Sequence, residues 1–301
     1  MDNDKWIVRK GVEIARKCMV QVDYIGYNFR SEVTGNKAIT DLLASKNPAM
    51  VARFGAVEMH CVSKWMVKKD YSSKEMEQAL YAAGIFPNKK NVIDRFCEIY
   101  TDSMKEADII GVWRVASEKK AIKKYCASPI LTPSRAIEPY YFKNPWSEVL
   151  EDKKILIIHP FIKSIEHQLK NREKIWKDNR ILPKFRSVSF IKAVQSNAGA
   201  KPDFQDWFEA LESMKKEIDM IDFDVAIIGA GAYGLPLAAY VKKIGKQSVQ
   251  MSGATQILFG IIGKRWEDKP HIAKYFNSYW IRPSQEETPP SIEKVEGGSY
   301  W

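Results

Sequence analysis

Five short apolar runs decide what this chain can fold into. They cover residues 50–52, 108–112, 154–158, 224–228 and 247–251, and segments of helical period separate them. Runs so short and so continuously apolar suit strands covered on both faces, as in parallel sheets. Their alternation with helices predicts an α/β fold: a Rossmann-like, mostly parallel sheet flanked by helices. A chain of 301 residues, 45% of them hydrophobic, can bury a core of that size in a single large domain.

The helices carry their own signals. Apolar residues recur at helical spacing over 5–20, and a second short helix is expected over 37–45. Ser72 and Glu75 stand as a capping box ahead of a helix that stops before Gly84. The stretch "FQDWFEALESMKKEIDMI" is strongly amphipathic, with Asp203 as its expected cap. The domain is thus expected over 1–282. Residues 283–301, "PSQEETPPSIEKVEGGSYW", are acidic, proline-rich and aperiodic, which predicts an exposed or disordered tail.

In open α/β sheets ligands lie beyond the carboxyl ends of the strands. The residues following the five runs are Arg53 through Glu58, Trp113 and Arg114, His159-Pro160-Phe161, "GAGAYG", and Ser252-Gly253. One rim would therefore collect arginines, a histidine, a carboxylate and glycine turns. Glu58 there reads either as a ligand for a phosphate's metal or as a first-turn carboxylate favoured by the helix dipole. His159 could bond a phosphate, take a proton from a hydroxyl, or be a satisfied structural histidine.

Gly229, Gly231 and Gly234 spell G-x-G-x-x-G after a strand and before a helix. The next strand ends "SVQMSG", with no acidic residue to hold a ribose, which argues against a dinucleotide. A phosphate or sugar-nucleotide contact and a tight structural turn both remain open. Downstream, Thr255 and Gln256 head an apolar helix and Lys264-Arg265-Trp266 follow it. Caps and dipole-favoured cations explain these residues structurally. Functionally, Arg265 could fork onto a diphosphate.

The chain carries a formal charge of +10, and between Pro160 and Lys192 nine Lys or Arg face three acidic residues. Such a face attracts polyanions: nucleic acid, an anionic membrane leaflet, or nucleotide and pyrophosphate substrates. No nucleic-acid module is recognisable. Four scattered cysteines, Cys18, Cys61, Cys97 and Cys126, suggest neither a zinc site nor a disulfide framework. The absence of a long apolar run or a secretory start predicts a cytoplasmic protein, with peripheral contact at the inner membrane face open to it.

"ARFGAVE", followed by "IIGAGAYGLPLAAYVKKIGK" and "GATQILFGIIGKRW", resembles the GT-D-fold glycosyltransferases of bacterial polysaccharide and glycoprotein biosynthesis, over about 41–266. The resemblance implies sugar transfer from a nucleotide donor, with a UDP-sugar expected. The implied acceptor is a cell-surface glycan precursor, glycolipid or glycoprotein, and Mn²⁺ or Mg²⁺ would assist. Carried over residue by residue, the resemblance places Arg53, Phe54 and Gly55 on the donor and Glu58 on the metal; the reading of the rim adds Gly229, Gly231, Tyr233, Gly234, Thr255, Gln256 and Arg265 as donor-site candidates, with Glu58 and His159 as the catalytic candidates. The family's triplet is Asp-x-Glu, and Ala56 stands here where the aspartate would be. Alanine has no ligand atom, so Glu58 alone would represent the triplet. The competing readings are a catalytically inactive binding or scaffold protein of the same fold, and a dinucleotide-dependent oxidoreductase.

Overall fold

The computed structural model describes residues 22–294 and 297–301. The helix expected over 5–20, and Cys18 with it, lie outside the described residues.

Seven strands form one sheet in the order β3-β2-β1-β7-β6-β4-β5, with every pairing parallel. They are β1 (Ala49–Ala52), β2 (Ile109–Val112), β3 (Ile130–Pro133), β4 (Lys154–His159), β5 (Ser187–Lys192), β6 (Val225–Ile228) and β7 (Gln247–Gln250). The chain runs outward through β1, β2 and β3 to one edge. It then crosses to β4 and β5 at the other and returns through β6 and β7 to pair with β1. The five strands expected from apolar runs are the five interior ones. The two missed are the edges: β3 closes on Pro133, and β5 mixes polar Ser187, Ser189 and Lys192 with its apolar residues.

Helices cover both faces. They are α1 (Glu32–Ala44), α2 (Ala56–Val67), α3 (Ser73–Tyr81), α4 (Lys90–Ser103), α5 (Glu118–Tyr125), α6 (Ile162–Leu169), α7 (Arg172–Ile175), α8 (Trp207–Asp219), α9 (Gly234–Lys243) and α10 (Ala254–Leu258). Strand alternation splits the buried residues between two cores. Met50, Ala52, Leu156 and Ile158 join the core beneath α2, α4, α8 and α9. Val51, Ile155 and Ile157 join the opposite one, with Ile39 and Leu43 of α1 and Ile257 and Leu258 of α10.

Caps fix where the helices begin. At α3, Ser72 Oγ accepts the Glu75 N–H at 3.3 Å, and Glu75 Oε2 accepts the Ser72 N–H at 2.8 Å, the capping box read from sequence. The helix expected over 37–45 starts earlier, where Ser31 Oγ accepts the Thr34 N–H at 3.2 Å. The cap of α8 is Asp206, not Asp203. Asp206 immediately precedes the first helical residue, so its Oδ1 reaches the N–H groups of Phe208 (2.9 Å) and Glu209 (2.8 Å).

Among the described residues from 283 onward, those around Glu287 and at 298–301 pack against the domain where an exposed tail was expected. Glu287 is 1% exposed, and its carboxylate accepts bonds from the Lys163 N–H (2.7 Å) and the Ser284 hydroxyl (2.9 Å). Ser299 is buried, and Trp301 donates its indole N–H to the Glu287 carbonyl at 3.1 Å. The aromatic residues at 300 and 301 outweigh the polar composition before them.

Candidate active site

Register brings the strand ends to one level. Val51 faces Val249, Gln250 faces Ile228, and Ile228 faces Ile158. Two steps beyond Val51, and one beyond Gln250, Ile228 and Ile158, Arg53, Met251, Gly229 and His159 emerge side by side. Above them opens a cleft of ≈ 160 Å³. Arg53, Gly55, Glu58, His159, Gly229, Gly231, Tyr233, Gln256 and Arg265 all line it, whereas Phe54, Gly234 and Thr255 do not.

Arg53 is held from both ends. Its backbone N–H donates to Gln250 Oε1 at 2.9 Å, tying the exit of β1 to that of β7. Its guanidinium lies 5.1 Å from the centre of the Trp113 ring, with Nη1 3.5 Å from Glu138 Oε1. Its Nε is buried without a hydrogen-bond partner. Trp113 is fixed in turn: its indole N–H donates to the Phe54 carbonyl at 2.8 Å. Glu118, 2% exposed, accepts from the N–H groups of Trp113 (3.3 Å) and Arg114 (2.9 Å) and from the Tyr24 hydroxyl (2.9 Å). Burial raises the Glu118 pKa, and these donors oppose the shift. Sequence reading placed Trp113 on the rim but missed Gln250, Glu118 and Glu138, whose roles depend on contacts across the sheet.

Glu58 opens α2 at its third residue and is 8% exposed. Its carboxylate folds back over Gly55, filling the place a side chain there would take. The Gly55 N–H donates to the Tyr100 hydroxyl at 3.0 Å. Desolvation, and next to it the Glu58 charge, raise the pKa of Tyr100 well above its ordinary value. The same two causes push the Cys61 thiol up to about 12. Phe54 is fully buried in the core beneath and meets the site only through its carbonyl.

His159 is 3% exposed, and burial lowers its pKa to about 3. Its Nδ1 accepts the Phe161 N–H at 2.9 Å, so the ring proton of the neutral imidazole sits on Nε2. Among the roles open from sequence, this favours a hydrogen-bond donor over a proton acceptor.

The glycine motif has steric causes. A Cβ on Gly229 would come within 2.6 Å of the His159 ring and 2.7 Å of Thr255 Oγ1, so β6 can leave the sheet there only as glycine. Gly231 takes φ +51 with open space around it, so its requirement is conformational. Gly234 lies outside the cleft lining, close against Gln250. Tyr233 stacks on Trp207 at 4.8 Å and shares a hydrogen bond with Ser196 Oγ at 3.0 Å. Thr255 is fully buried and donates to the Ile228 carbonyl at 3.3 Å. Gln256 Nε2 donates to the Tyr300 carbonyl at 3.1 Å.

Two walls were not legible in sequence. One is the segment 193–197 after β5, and the other is Tyr300 with Trp301. Gly253 admits the Tyr300 ring, which a Cβ would meet at 2.6 Å, and Arg265 lies 5.0 Å from the centre of that ring. Glu58 is the one carboxylate lining the cleft among the described residues. No group of three or more His, Cys, Asp or Glu converges among the described residues either. One carboxylate does not fit a divalent cation held by protein alone, since such ions take six or more oxygens.

Away from the cleft, at least four of the nine cations in 160–192 pair with carboxylates: Lys163 with Glu286, Arg172 with Glu173, Arg180 with Asp178 and Arg186 with Asp152. Among the described residues no helix is long and apolar enough to cross a membrane.

No curated protein matches the chain. Two solved structures resemble it. One is described as a new glycosyltransferase (DUF1792) from Streptococcus sanguinis, with 14% identity, 84% of this chain and 94% of that one covered, and a TM-score of 0.45. The other is a selenomethionine-substituted structure of domain of unknown function 1792, with 13% identity, 76% and 79% covered, and a TM-score of 0.44. At such scores neither likeness bears on activity. The model of the GT-D fold-like domain, in contrast, matches residues 31–257 and so takes in every strand and most of the rim; the chain belongs to the GT-D fold-like family.

Proposed function

We propose that the protein is a glycosyltransferase that moves a sugar from a nucleotide donor, a UDP-sugar being the first candidate, to a glycan acceptor in cell-surface polysaccharide or glycoprotein synthesis. The observation that carries this reading is Arg53. A guanidinium just beyond the carboxyl end of β1, with its Nε buried and unbonded, bears a cost that bonds to a ligand can offset. Its setting beside Arg265, the His159 Nε2–H and the Gly229–Gly231 turn suits a diphosphate. Membership of the GT-D fold-like family agrees.

In such a transfer the bond between the sugar's anomeric carbon and the donor phosphate breaks, and negative charge grows on the departing diphosphate. In this reading Arg53 and Arg265 stabilise it, with His159 donating a neutral hydrogen bond. Fixed charges in a partly desolvated cleft stabilise developing charge more than water does. An acceptor hydroxyl forms the new bond and must lose its proton. Glu58, as the carboxylate on the cleft wall, is the group assigned to take it. Mn²⁺ or Mg²⁺, if bound, would meet Glu58 and complete its shell from the donor's phosphates.

Crowding around Gly229 and Gly234 gives the glycine motif a structural cause that needs no dinucleotide. A thermal-shift panel of UDP, other nucleoside diphosphates, NAD⁺ and FAD tests the reading, since a ligand of the native state raises Tm. Stabilisation by a nucleoside diphosphate and not by NAD⁺ supports it. Stabilisation by NAD⁺ alone rejects it.

A further inference from the structure

The cleft changes chemistry along its length. Its floor follows the strand exits in the order β1, β7, β6, β4 and β5, so from Arg53 to Ala193 it crosses four strand spacings, about 19 Å. The arginines stand toward the β1 end: Arg53 follows β1 directly, and Arg265 lies by the Tyr300 ring that Gly253, just after β7, admits. Glu58, folded over Gly55, belongs to that side too. Toward β5 the walls are Ala82 and Ala83 after α3, residues 193–197, and Ala232 with Tyr233, and none of these side chains is charged at neutral pH.

The segment 193–197 is fixed through its backbone and Ser196. The Ala193 N–H donates to the His159 carbonyl at 3.2 Å, and the Ala198 N–H to the Tyr81 carbonyl at 2.9 Å. Ser196 Oγ donates to the Gly84 carbonyl at 2.7 Å and so takes the proton of the Tyr233 hydroxyl at 3.0 Å. A Cβ on Gly84 would come within 2.5 Å of that Oγ and 2.9 Å of the Asn197 nitrogen, so glycine there lets the segment close on the end of α3. Ser196 and Tyr233 are thereby occupied. The half-buried Asn197 side chain has no hydrogen-bond partner among the described residues. Gln195, also half-buried, gives Nε2 to the Glu287 carbonyl at 3.4 Å and leaves Oε1 without a partner among them. Two amides on a fixed backbone thus line the cleft with donors and acceptors open.

The reacting groups indicate which part of a donor this end would hold. Glu58 and His159 line the cleft and not the adjoining groove, which opens past Arg53 and Trp113 toward Ser134 and Glu138. The anomeric carbon must come near Glu58, so the sugar would extend from the arginines into the cleft, toward β5. An amide donates and accepts, as a hydroxyl does. Trp301 adjoins Gln195, since both donate to the Glu287 carbonyl, and its ring offers a surface to the C–H face of a sugar. A carboxylate on that sugar would lose water and meet no cation among the described residues that line this end.

We infer that Gln195 and Asn197 are specificity-determining residues that hold the hydroxyl groups of the donor's sugar, and that this sugar is uncharged. The inference rests on the transferase reading, which stands or falls on UDP itself; what separates the two is the affinity that the sugar adds.

Calorimetric titration of the full chain with UDP, UDP-glucose, UDP-galactose, UDP-N-acetylglucosamine and UDP-glucuronate tests it, using wild type, Asn197→Ala and Gln195→Ala. The expected result is one neutral sugar nucleotide bound by wild type about tenfold tighter than UDP-glucuronate. Each substitution should weaken that ligand by about fivefold, the loss of one neutral hydrogen bond, and change UDP by less than about twofold. Both variants should keep a cooperative melt; should one lose it, the other decides alone. UDP-glucuronate bound as tightly as every neutral donor, or sugar-nucleotide affinity unchanged by both substitutions, overturns the inference and leaves the transferase reading intact. An equal loss for UDP also overturns it, since the amides would then meet the nucleoside. Absence of UDP binding by wild type removes the transferase reading and the inference with it.

Discussion

The Glu58 carboxylate occupies the space that a side chain on Gly55 would need. Gly55 itself has φ −78 and ψ 147, a conformation any residue adopts, so its requirement is purely spatial. Gly55→Ala should displace the carboxylate and cost about 1–3 kcal/mol, within the range of overpacking in a closed site. Adding Glu58→Ala should recover part of that loss. Urea unfolding of the two single variants and the double variant completes a cycle. Strictly additive losses would mean the two residues do not compete for one volume.

A second relay runs from Glu118 through Trp113 to Arg53. Glu118→Ala leaves the partly buried N–H groups of Trp113 and Arg114 without their acceptor, for an expected loss of about 1–3 kcal/mol in stability. Trp113→Ala removes the ring beneath Arg53 while leaving Glu118 bonded to the backbone. It should weaken nucleotide binding with a smaller effect on urea midpoint than Glu118→Ala. Equal nucleotide affinity in Trp113→Ala and wild type, by calorimetry, would disconnect the ring from the site.

His159 predicts a pH dependence with a definite sign. Its folded pKa is about 3, below the ordinary value of 6.5, because burial disfavours the charged ring. The native state therefore resists protonation that the unfolded chain accepts. The stability it contributes is complete above about pH 6.5 and is lost progressively as pH falls toward the folded value. In His159→Gln the fall in unfolding free energy between neutral pH and about pH 5 should be shallower than in wild type. Parallel curves would show that another group carries the effect. Turnover should also lack a histidine titration near neutrality that disappears in His159→Gln.

The aromatic wall at 300–301 is testable without touching the sheet. Trp301 packs edge-to-face on Phe161 at 6.0 Å, and both line the cleft. Trp301→Ala should raise the Kd for a nucleotide sugar by about tenfold, the scale of one lost aromatic contact, while the cooperative melt is retained. Unchanged affinity would make the wall a passive boundary.

The interior strands were legible because both of their faces are buried, which leaves an uninterrupted apolar signature. The edges were not, since Ser187, Ser189 and Lys192 meet solvent on one side and dilute that signal. Within the site, local residues such as Arg53, Gly55, Glu58, His159, Gly229 and Gly231 follow from the rule that ligands gather at strand ends. Phe54 could not be told from a ligand contact by its place in "RFG". Only the tertiary structure shows its ring turned into the core. Thr255 reads as a polar cap and is instead a buried bond to the Ile228 carbonyl. Gln250 and the residues at 300 and 301 act through partners far away in sequence, and no local period records such partners.

Arg53 is the point at which the reading stands or falls. The decisive measurement is the affinity for UDP of wild type and Arg53→Ala by calorimetry, each with a chelator and with added Mn²⁺. If Arg53 contacts the donor diphosphate, Arg53→Ala weakens UDP by about 1.5–3 kcal/mol in both conditions, and wild type retains measurable affinity under the chelator. Equal affinity of a well-folded Arg53→Ala and wild type in both conditions would contradict the proposed site.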